Sequence, residues 1–117
     1  MLYVKNLHKT YSVGKNKYQV LNGIDFHVAQ GEFVAVMGPS GSGKTTLLNC
    51  ISCYIPFDKG AITIGGTNLA GQTENALAHF RNTKIGFVFQ DFMLLDGLTI
   101  QENILVPRII QDKVTPE

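Results

Sequence analysis

The sequence predicts an α/β fold, because segments with the pattern of strands alternate along it with segments that have the pattern of helices. Residues Phe33–Met37 form a continuous apolar run between glycines, which is typical of a central strand of a parallel sheet covered on both faces. The next segment, Lys44 to about Ser52, places Leu47, Leu48 and Ile51 on one helical face. The chain has 117 residues, the length of one domain.

The composition excludes several classes of protein. With 44% hydrophobic residues the chain is too apolar to be disordered. It has 10 basic and 9 acidic residues, so it lacks the excess of positive charge that is typical of nucleic-acid-binding proteins. Its longest apolar run falls far short of the ~20 residues of a membrane helix. The residues that follow Met1 include no apolar segment long enough for a secretory signal, so we expect none there. We therefore expect a soluble cytoplasmic protein with no nucleic-acid partner.

The N-terminal elements are predicted to be strands. Leu2–Val4 is a short strand, Gly14–Lys17 has the composition of a hairpin tip, and Ile24, Phe26 and Val28 alternate with polar residues as in a half-buried strand. Four lysines and no acidic residue occur between Lys5 and Lys17. They fit a solvated hairpin, or a local attraction for a polyphosphate.

The elements after the first helix are a short strand, a helix, a buried strand and a last helix. The corresponding segments are Ala61–Ile64, Glu74–Arg81, Ile85–Phe89 and the helix that begins at Thr99. Thr99 and Glu102 have the spacing of a capping box. Pro107 disfavours helical geometry in the residue before it, so we expect this helix to end near Val106.

A glycine-rich loop carries the chemistry. Gly38-Pro39-Ser40-Gly41-Ser42-Gly43-Lys44-Thr45 has two glycines five positions apart followed by Lys and Thr, between the buried strand and the helix. Small residues let backbone N–H groups surround an anion, and the helix adds its free N-terminal donors. Lys44 is expected to reach the terminal phosphates and the Thr45 hydroxyl to bind Mg²⁺. The pattern predicts a P-loop NTPase fold with a nucleotide site.

The wider sequence resembles the ATP-binding subunits of ABC transporters from about Leu2 to Ile110. The resemblance is carried by Leu21–Ile24, by Gly31–Phe33, by the loop with Thr46-Leu47-Leu48, by Asp58–Gly60 and by Gly86–Gln90. It implies the N-terminal portion of an ABC-type nucleotide-binding domain, with an antiparallel β subdomain and part of the parallel core sheet. The implied ligands of Mg-ATP are Tyr11, Gly38, Ser40, Gly41, Ser42, Gly43, Lys44, Thr45 and Thr46.

The resemblance also implies roles for three further parts of the chain. Tyr11, which by itself could be an ordinary surface aromatic, would stack on adenine. Gln90 would act with Lys44 in catalysis and with Thr45 at Mg²⁺. The segment Asp91–Leu98 would meet a transmembrane permease subunit, although Met93, Leu94 and Leu95 would also suit a packed core. Phe89–Phe92 and Leu94–Asp96 favour a branch that includes exporters of antimicrobial peptides and macrolides and lipoprotein-release systems.

Several motifs of the complete domain do not occur in residues 1–117. They are the Leu-Ser-Gly-Gly-Gln signature, the second acidic strand with the catalytic base, and the switch histidine. We therefore expect a partial domain that binds ATP and, alone, hydrolyses little of it. The resemblance implies a head-to-tail dimer with a second ATP-binding subunit, at the inner face of the membrane through the permease. The alternatives are a soluble ABC-type ATPase, a P-loop phosphotransferase and a non-catalytic nucleotide-binding remnant.

The two cysteines, Cys50 and Cys53, have a spacing that permits redox or metal chemistry, although structural helix residues are the simpler interpretation.

Overall fold

A long antiparallel hairpin begins the chain. Strand β1 (Leu2–Val13) turns at Gly14 and Lys15 into strand β2 (Asn16–Val28), which confirms the predicted hairpin tip. The computed structural model describes residues 1–89 and 93–114, and these belong to two compact units, Met1–Thr73 and Glu74–Glu117. Ile24, Phe26 and Val28 are half-buried while the residues between them are exposed, as the period-two pattern predicts.

The first unit is built on a four-stranded antiparallel sheet. Strands β3 (Lys59–Ile64) and β4 (Thr67–Asn68) follow the hairpin, and the strand order is β2-β1-β3-β4. This is the antiparallel β subdomain that the sequence led us to expect. Its buried apolar side chains are Val4, Leu7, Leu21, Leu47, Cys50, Cys53, Ile62 and Leu69.

Helix α1 (Lys44–Ile51) packs against this sheet at the predicted place. Leu47 and Cys50 are its buried residues, whereas Leu48 is 47% exposed, so the apolar face is narrower than its spacing predicts. The helix ends where the Ser52 hydroxyl donates a hydrogen bond to the Leu48 carbonyl at 2.7 Å. The Leu48 carbonyl therefore accepts two hydrogen bonds from Ser52, since the Ser52 backbone N–H also donates to it at 2.9 Å.

The two predicted buried strands are not formed among the described residues. Within residues 1–89 and 93–114, neither Phe33–Met37 nor Ile85–Phe89 joins the four-stranded sheet, and Phe33, Met37 and Val88 are 97%, 89% and 96% exposed. The prediction was wrong because an apolar run gives a chain the propensity for a strand but not the neighbouring strand whose backbone groups must pair with it.

The second unit contains two helices, α2 (Glu74–Lys84) and α3 (Ile100–Val114). The capping box of α3 is confirmed: Thr99 N–H donates to the Glu102 carboxylate at 2.7 Å, and Glu102 N–H donates to the Thr99 hydroxyl at 3.2 Å. The predicted end at Val106 is wrong, since α3 continues through Pro107. Proline removes a single backbone donor, and the helical bonds on either side can hold the turn together. Across the described residues, neither helix of this unit nor α1 has the length and apolarity to cross a bilayer.

Candidate nucleotide-binding site

The N-terminus of α1 is open to an anion. Gly43 precedes the helix with φ 96°, no side chain caps the end, and the first turn has no acidic residue. The first backbone N–H groups of a helix have no partner within the helix, and its dipole makes that end partly positive. Nothing in the first turn neutralises this charge, which is the condition that phosphate binding requires.

Lys44 adds a full positive charge to the loop. Its ammonium group donates hydrogen bonds to the carbonyl of Gly38 and, at 3.3 Å, to the carbonyl of Pro39. Ser42 N–H donates to the Pro39 carbonyl at 3.2 Å and closes the turn between them. The lysine therefore folds back over the start of its own loop, where a bound polyphosphate would meet it.

Glycine is required at two positions of the loop: at Gly38, which lies close to Ser42, and at Gly43, which contacts the sheet. A Cβ atom on Gly38 would lie 2.8 Å from the Ser42 hydroxyl oxygen. A Cβ atom on Gly43 would lie 3.1 Å from Val20 Cγ1 and 3.2 Å from the Val20 carbonyl oxygen. The end of the loop therefore rests directly on strand β2.

The hydroxyl groups of the loop are accessible. Ser40, Ser42 and Thr45 are exposed, and Thr46 is half-buried. Mg²⁺ prefers hard oxygen ligands and keeps most of its water, so one hydroxyl beside phosphate oxygens fits its chemistry. Thr45, in the first turn of α1, suits that role. The other predicted magnesium ligand, Gln90, lies outside the described residues.

Tyr11 lies on the hairpin that supports the loop. It pairs with Tyr18 across β1 and β2, and the residue is 39% exposed. Val20, which touches Gly43, is two residues beyond Tyr18 on the same strand. The structure thus places the predicted aromatic residue and the phosphate loop on the same pair of strands. The roles assigned to both remain predictions.

The interpretation of the lysine run requires a correction at Lys9. Lys5, Lys15 and Lys17 are exposed, as a solvated hairpin requires, but Lys9 is only 9% exposed. Its ammonium group lies 4.0 Å from the Asp58 carboxylate and 5.3 Å from the centroid of the Tyr11 ring. Sequence reasoning missed this residue, although its position two residues before Tyr11 puts both on one face of β1.

Cys50 and Cys53 are both buried, and both are thiols that are not joined in a disulfide. Burial raises the pKa of the Cys50 thiol, and the nearby charge of Lys9 only partly opposes this. Among residues 1–89 and 93–114, no cluster of His, Cys, Asp and Glu is arranged to hold a metal ion. A neutral buried thiol favours the structural interpretation over redox chemistry.

The segment predicted to meet a permease is described only in part. Asp91 and Phe92 lie outside the described residues, and the apolar side chains of Met93, Leu94 and Leu95 are 68%, 65% and 53% exposed. This exposure argues against a packed core. Asn103 stabilises the backbone of this segment at Leu95, because its side chain forms two hydrogen bonds with the N–H and carbonyl groups of Leu95.

Most of the chain matches a known protein family. The sequence profile described as "ABC transporter" matches residues 21–116. The ABC transporter ATP-binding protein YxdL of Bacillus subtilis is 55% identical over 111 residues, which are 95% of this chain and 43% of that protein. The bacitracin export ATP-binding protein BceA of Halalkalibacterium halodurans is 50% identical over 107 residues, covering 92% of this chain and 42% of that protein. This chain therefore spans about half the length of the curated relatives it matches.

A solved structure agrees with the sequence match. The dimeric, post-hydrolysis ATP-binding cassette MJ0796, bound to ADP and Pi, superposes with a TM-score of 0.90 at 38% identity. The superposition covers 100% of this chain and 50% of the cassette. The expected fold class, the N-terminal portion of such a nucleotide-binding domain, is confirmed.

Proposed function

Because this chain belongs to the ABC transporter family, we propose that it binds Mg-ATP through the loop Gly38–Thr45 as part of the ATP-binding subunit of a transporter. The observation that carries the proposal is Lys44, whose ammonium group lies over the Gly38 and Pro39 carbonyls beside an uncapped helix end. A cation and a set of free N–H donors at one place match the charge and the acceptor oxygens of a triphosphate.

Within this proposal the loop residues hold the phosphates and Thr45 offers its hydroxyl to Mg²⁺. Bound Mg²⁺ supplies positive charge to the phosphate oxygens. Gln90 is proposed as the second magnesium ligand, and the exposed ring of Tyr11 as the surface on which adenine stacks. For this chain alone we propose binding with little turnover, and for the whole subunit ATP hydrolysis coupled to transport.

The proposed partners are a second ATP-binding subunit and a transmembrane permease, the latter at Asp91–Leu98 on the cytoplasmic face of the membrane. The exposed apolar group Met93, Leu94 and Leu95 supports the permease contact, since surface clusters of this kind are typical of docking sites. One relative is described as a bacitracin export protein and another, from Bacteroides fragilis, as part of a lipoprotein-releasing system. We propose export, with an antimicrobial peptide as substrate class, in preference to a soluble ATPase.

Calorimetric titration with Mg-ATP tests the proposal. Lys44→Ala should weaken binding by about tenfold or more, because a charge-assisted contact with the phosphates is lost. Lys15→Ala, which removes the same charge from the exposed hairpin tip, should leave the affinity unchanged. Phosphate release is followed in the same samples, and we expect it to be slow.

Two results would contradict the proposal. Equal affinities of the wild-type chain and Lys44→Ala for Mg-ATP would show that the loop does not form the phosphate-binding site. If the folded wild-type chain does not bind Mg-ATP, the proposal that this chain binds a nucleotide is wrong.

A further inference from the structure

Lys9 is a buried cation that the phosphate site does not use. Its side chain is 11% exposed, and its charge is only partly balanced by Asp58, whose side chain is 48% exposed and lies 4.0 Å away. Burying an ammonium group has a desolvation cost that one long ion pair recovers only in part. We therefore expect the Lys9 ammonium group to have a second favourable contact that offsets its desolvation.

The ring of Tyr11 provides that contact. Lys9 Nζ lies over the ring at 5.3 Å from its centroid, within the ~6 Å at which a cation is attracted by an aromatic face. Lys9 occupies one face of the ring, yet the Tyr11 residue remains 39% exposed. Part of Tyr11 therefore stays accessible to a second group while the lysine is in place.

Asp58 forms hydrogen bonds with the residues immediately before and after Lys9 in strand β1. Its backbone N–H donates to the His8 carbonyl at 2.9 Å, and its carboxylate accepts a hydrogen bond from Thr10 N–H at 2.6 Å. The same carboxylate is the ion-pair partner of Lys9. One residue, just before β3, therefore fixes both the backbone that carries Lys9 and the direction of its side chain.

We propose that Lys9 is a positioning residue for the nucleotide base: anchored by Asp58, it fixes the Tyr11 ring in the orientation in which the ring stacks on adenine. This inference rests on the proposed function, and it adds to that function the residue that sets base recognition. The cation acts through the ring and not on the phosphates. Its removal should therefore affect ligands that carry a base and spare those that do not.

The test compares Mg-ATP with Mg-tripolyphosphate, which has the phosphates but no base. Lys9→Met keeps the length of the side chain and removes the charge. We expect it to weaken Mg-ATP binding about two- to fivefold, the size of one cation–π contact, and to leave tripolyphosphate binding unchanged. Lys9→Arg, which keeps a cation over the ring, should bind Mg-ATP like the wild-type chain. In a Tyr11→Ala background, Lys9→Met should have no further effect.

A second variant covers the case in which Lys9→Met fails to fold. Asp58→Asn keeps an acceptor for Thr10 N–H but releases the lysine, so it should give the same selective loss of Mg-ATP affinity. Equal weakening of both ligands, no weakening of either, or additive effects of Lys9→Met and Tyr11→Ala would overturn the inference while the proposed function stands. If the wild-type chain binds neither ligand, the proposed function fails and this inference fails with it.

Discussion

The side chain of Asn103 and the backbone of Leu95 form a reciprocal pair of hydrogen bonds. Leu95 N–H donates to Asn103 Oδ1 at 2.9 Å, and Asn103 Nδ2 donates to the Leu95 carbonyl at 3.3 Å. The same Nδ2 atom lies 3.3 Å from the Leu98 carbonyl and 2.9 Å from the Thr99 carbonyl. One amide in α3 therefore organises the whole turn that leads out of the exposed apolar group at Met93–Leu95.

Replacing this amide should loosen the turn without unfolding the first unit. Asn103→Leu removes every one of these bonds, at a net cost of about 1–2 kcal/mol for the local structure, because a partly exposed hydrogen bond contributes ~1 kcal/mol or less. Hydrogen exchange of the Leu95 amide should become roughly tenfold faster.

Two variants control this experiment. Asn103→Asp keeps the acceptor for Leu95 N–H but loses the donors, so the Leu95 amide should stay protected. Gln101→Leu, at an exposed position in the same helix, should change nothing. Unaltered exchange at Leu95 in Asn103→Leu would show that the loop holds its shape by other contacts.

Gly43 lies where the phosphate loop contacts strand β2, and a larger residue at this position should destabilise the fold. Gly43→Ala would require a side chain at φ 96° and within 3.2 Å of the Val20 carbonyl oxygen, which is backbone and cannot move aside easily. We expect a loss of about 2–4 kcal/mol in the free energy of unfolding, from left-handed strain and overpacking together.

Gly41→Ala is the matched control, because Gly41 has φ 80° but nothing within 4 Å of the added Cβ atom. Strain alone should make this variant less stable by about 1 kcal/mol. Urea denaturation followed by circular dichroism measures both. Equal losses at the two positions would mean that the contact with Val20 contributes nothing.

Burial of the Cys50 thiol predicts how stability depends on pH. Its pKa is raised by burial, so the unfolded chain loses the thiol proton at a lower pH than the folded chain does. The contribution of Cys50 is complete below the ordinary thiol pKa of about 8.5 and is lost as the pH rises through the raised value. Stability should therefore fall from about pH 8.5 upwards.

Cys50→Ala should reduce the slope of that fall, whatever its effect on stability at pH 7. The denaturation midpoint in urea, measured from pH 7 to about pH 10, gives the slope for both proteins. Identical slopes would assign the loss of stability to other groups.

Features set by neighbours in the sequence were predicted well. The capping box of Thr99 and Glu102, the hairpin tip at Gly14 and the alternating burial of Ile24 and Phe26 depend on residues a few positions apart. The turn of the glycine-rich loop and the helix after it belong to this group, since both follow from small residues and their spacing, whereas phosphate binding by the loop stays a prediction.

Features that depend on distant partners were not predicted. The burial of Lys9 requires Asp58, 49 positions later, and no local pattern connects them. The apolar run Phe33–Met37 gives the composition of a strand but not the identity of the strand beside it. Pro107 marks a weak point in a helix, yet the residues around it decide whether the helix ends there.

In the proposed nucleotide site, the contact between Gly43 and Val20 should limit which nucleotides can reach both Tyr11 and the loop. Tyr18, opposite Tyr11, lies two positions before Val20, where the pairing of β1 with β2 is irregular, so their Cα atoms are at most roughly 7 Å apart. The separation between the Tyr11 ring and the glycine-rich loop is thus limited by the pairing of Tyr11 with Tyr18 and by the short stretch of β2 that follows. We expect adenosine phosphates with a shorter or longer phosphate chain than ATP to engage one end of the site at the expense of the other.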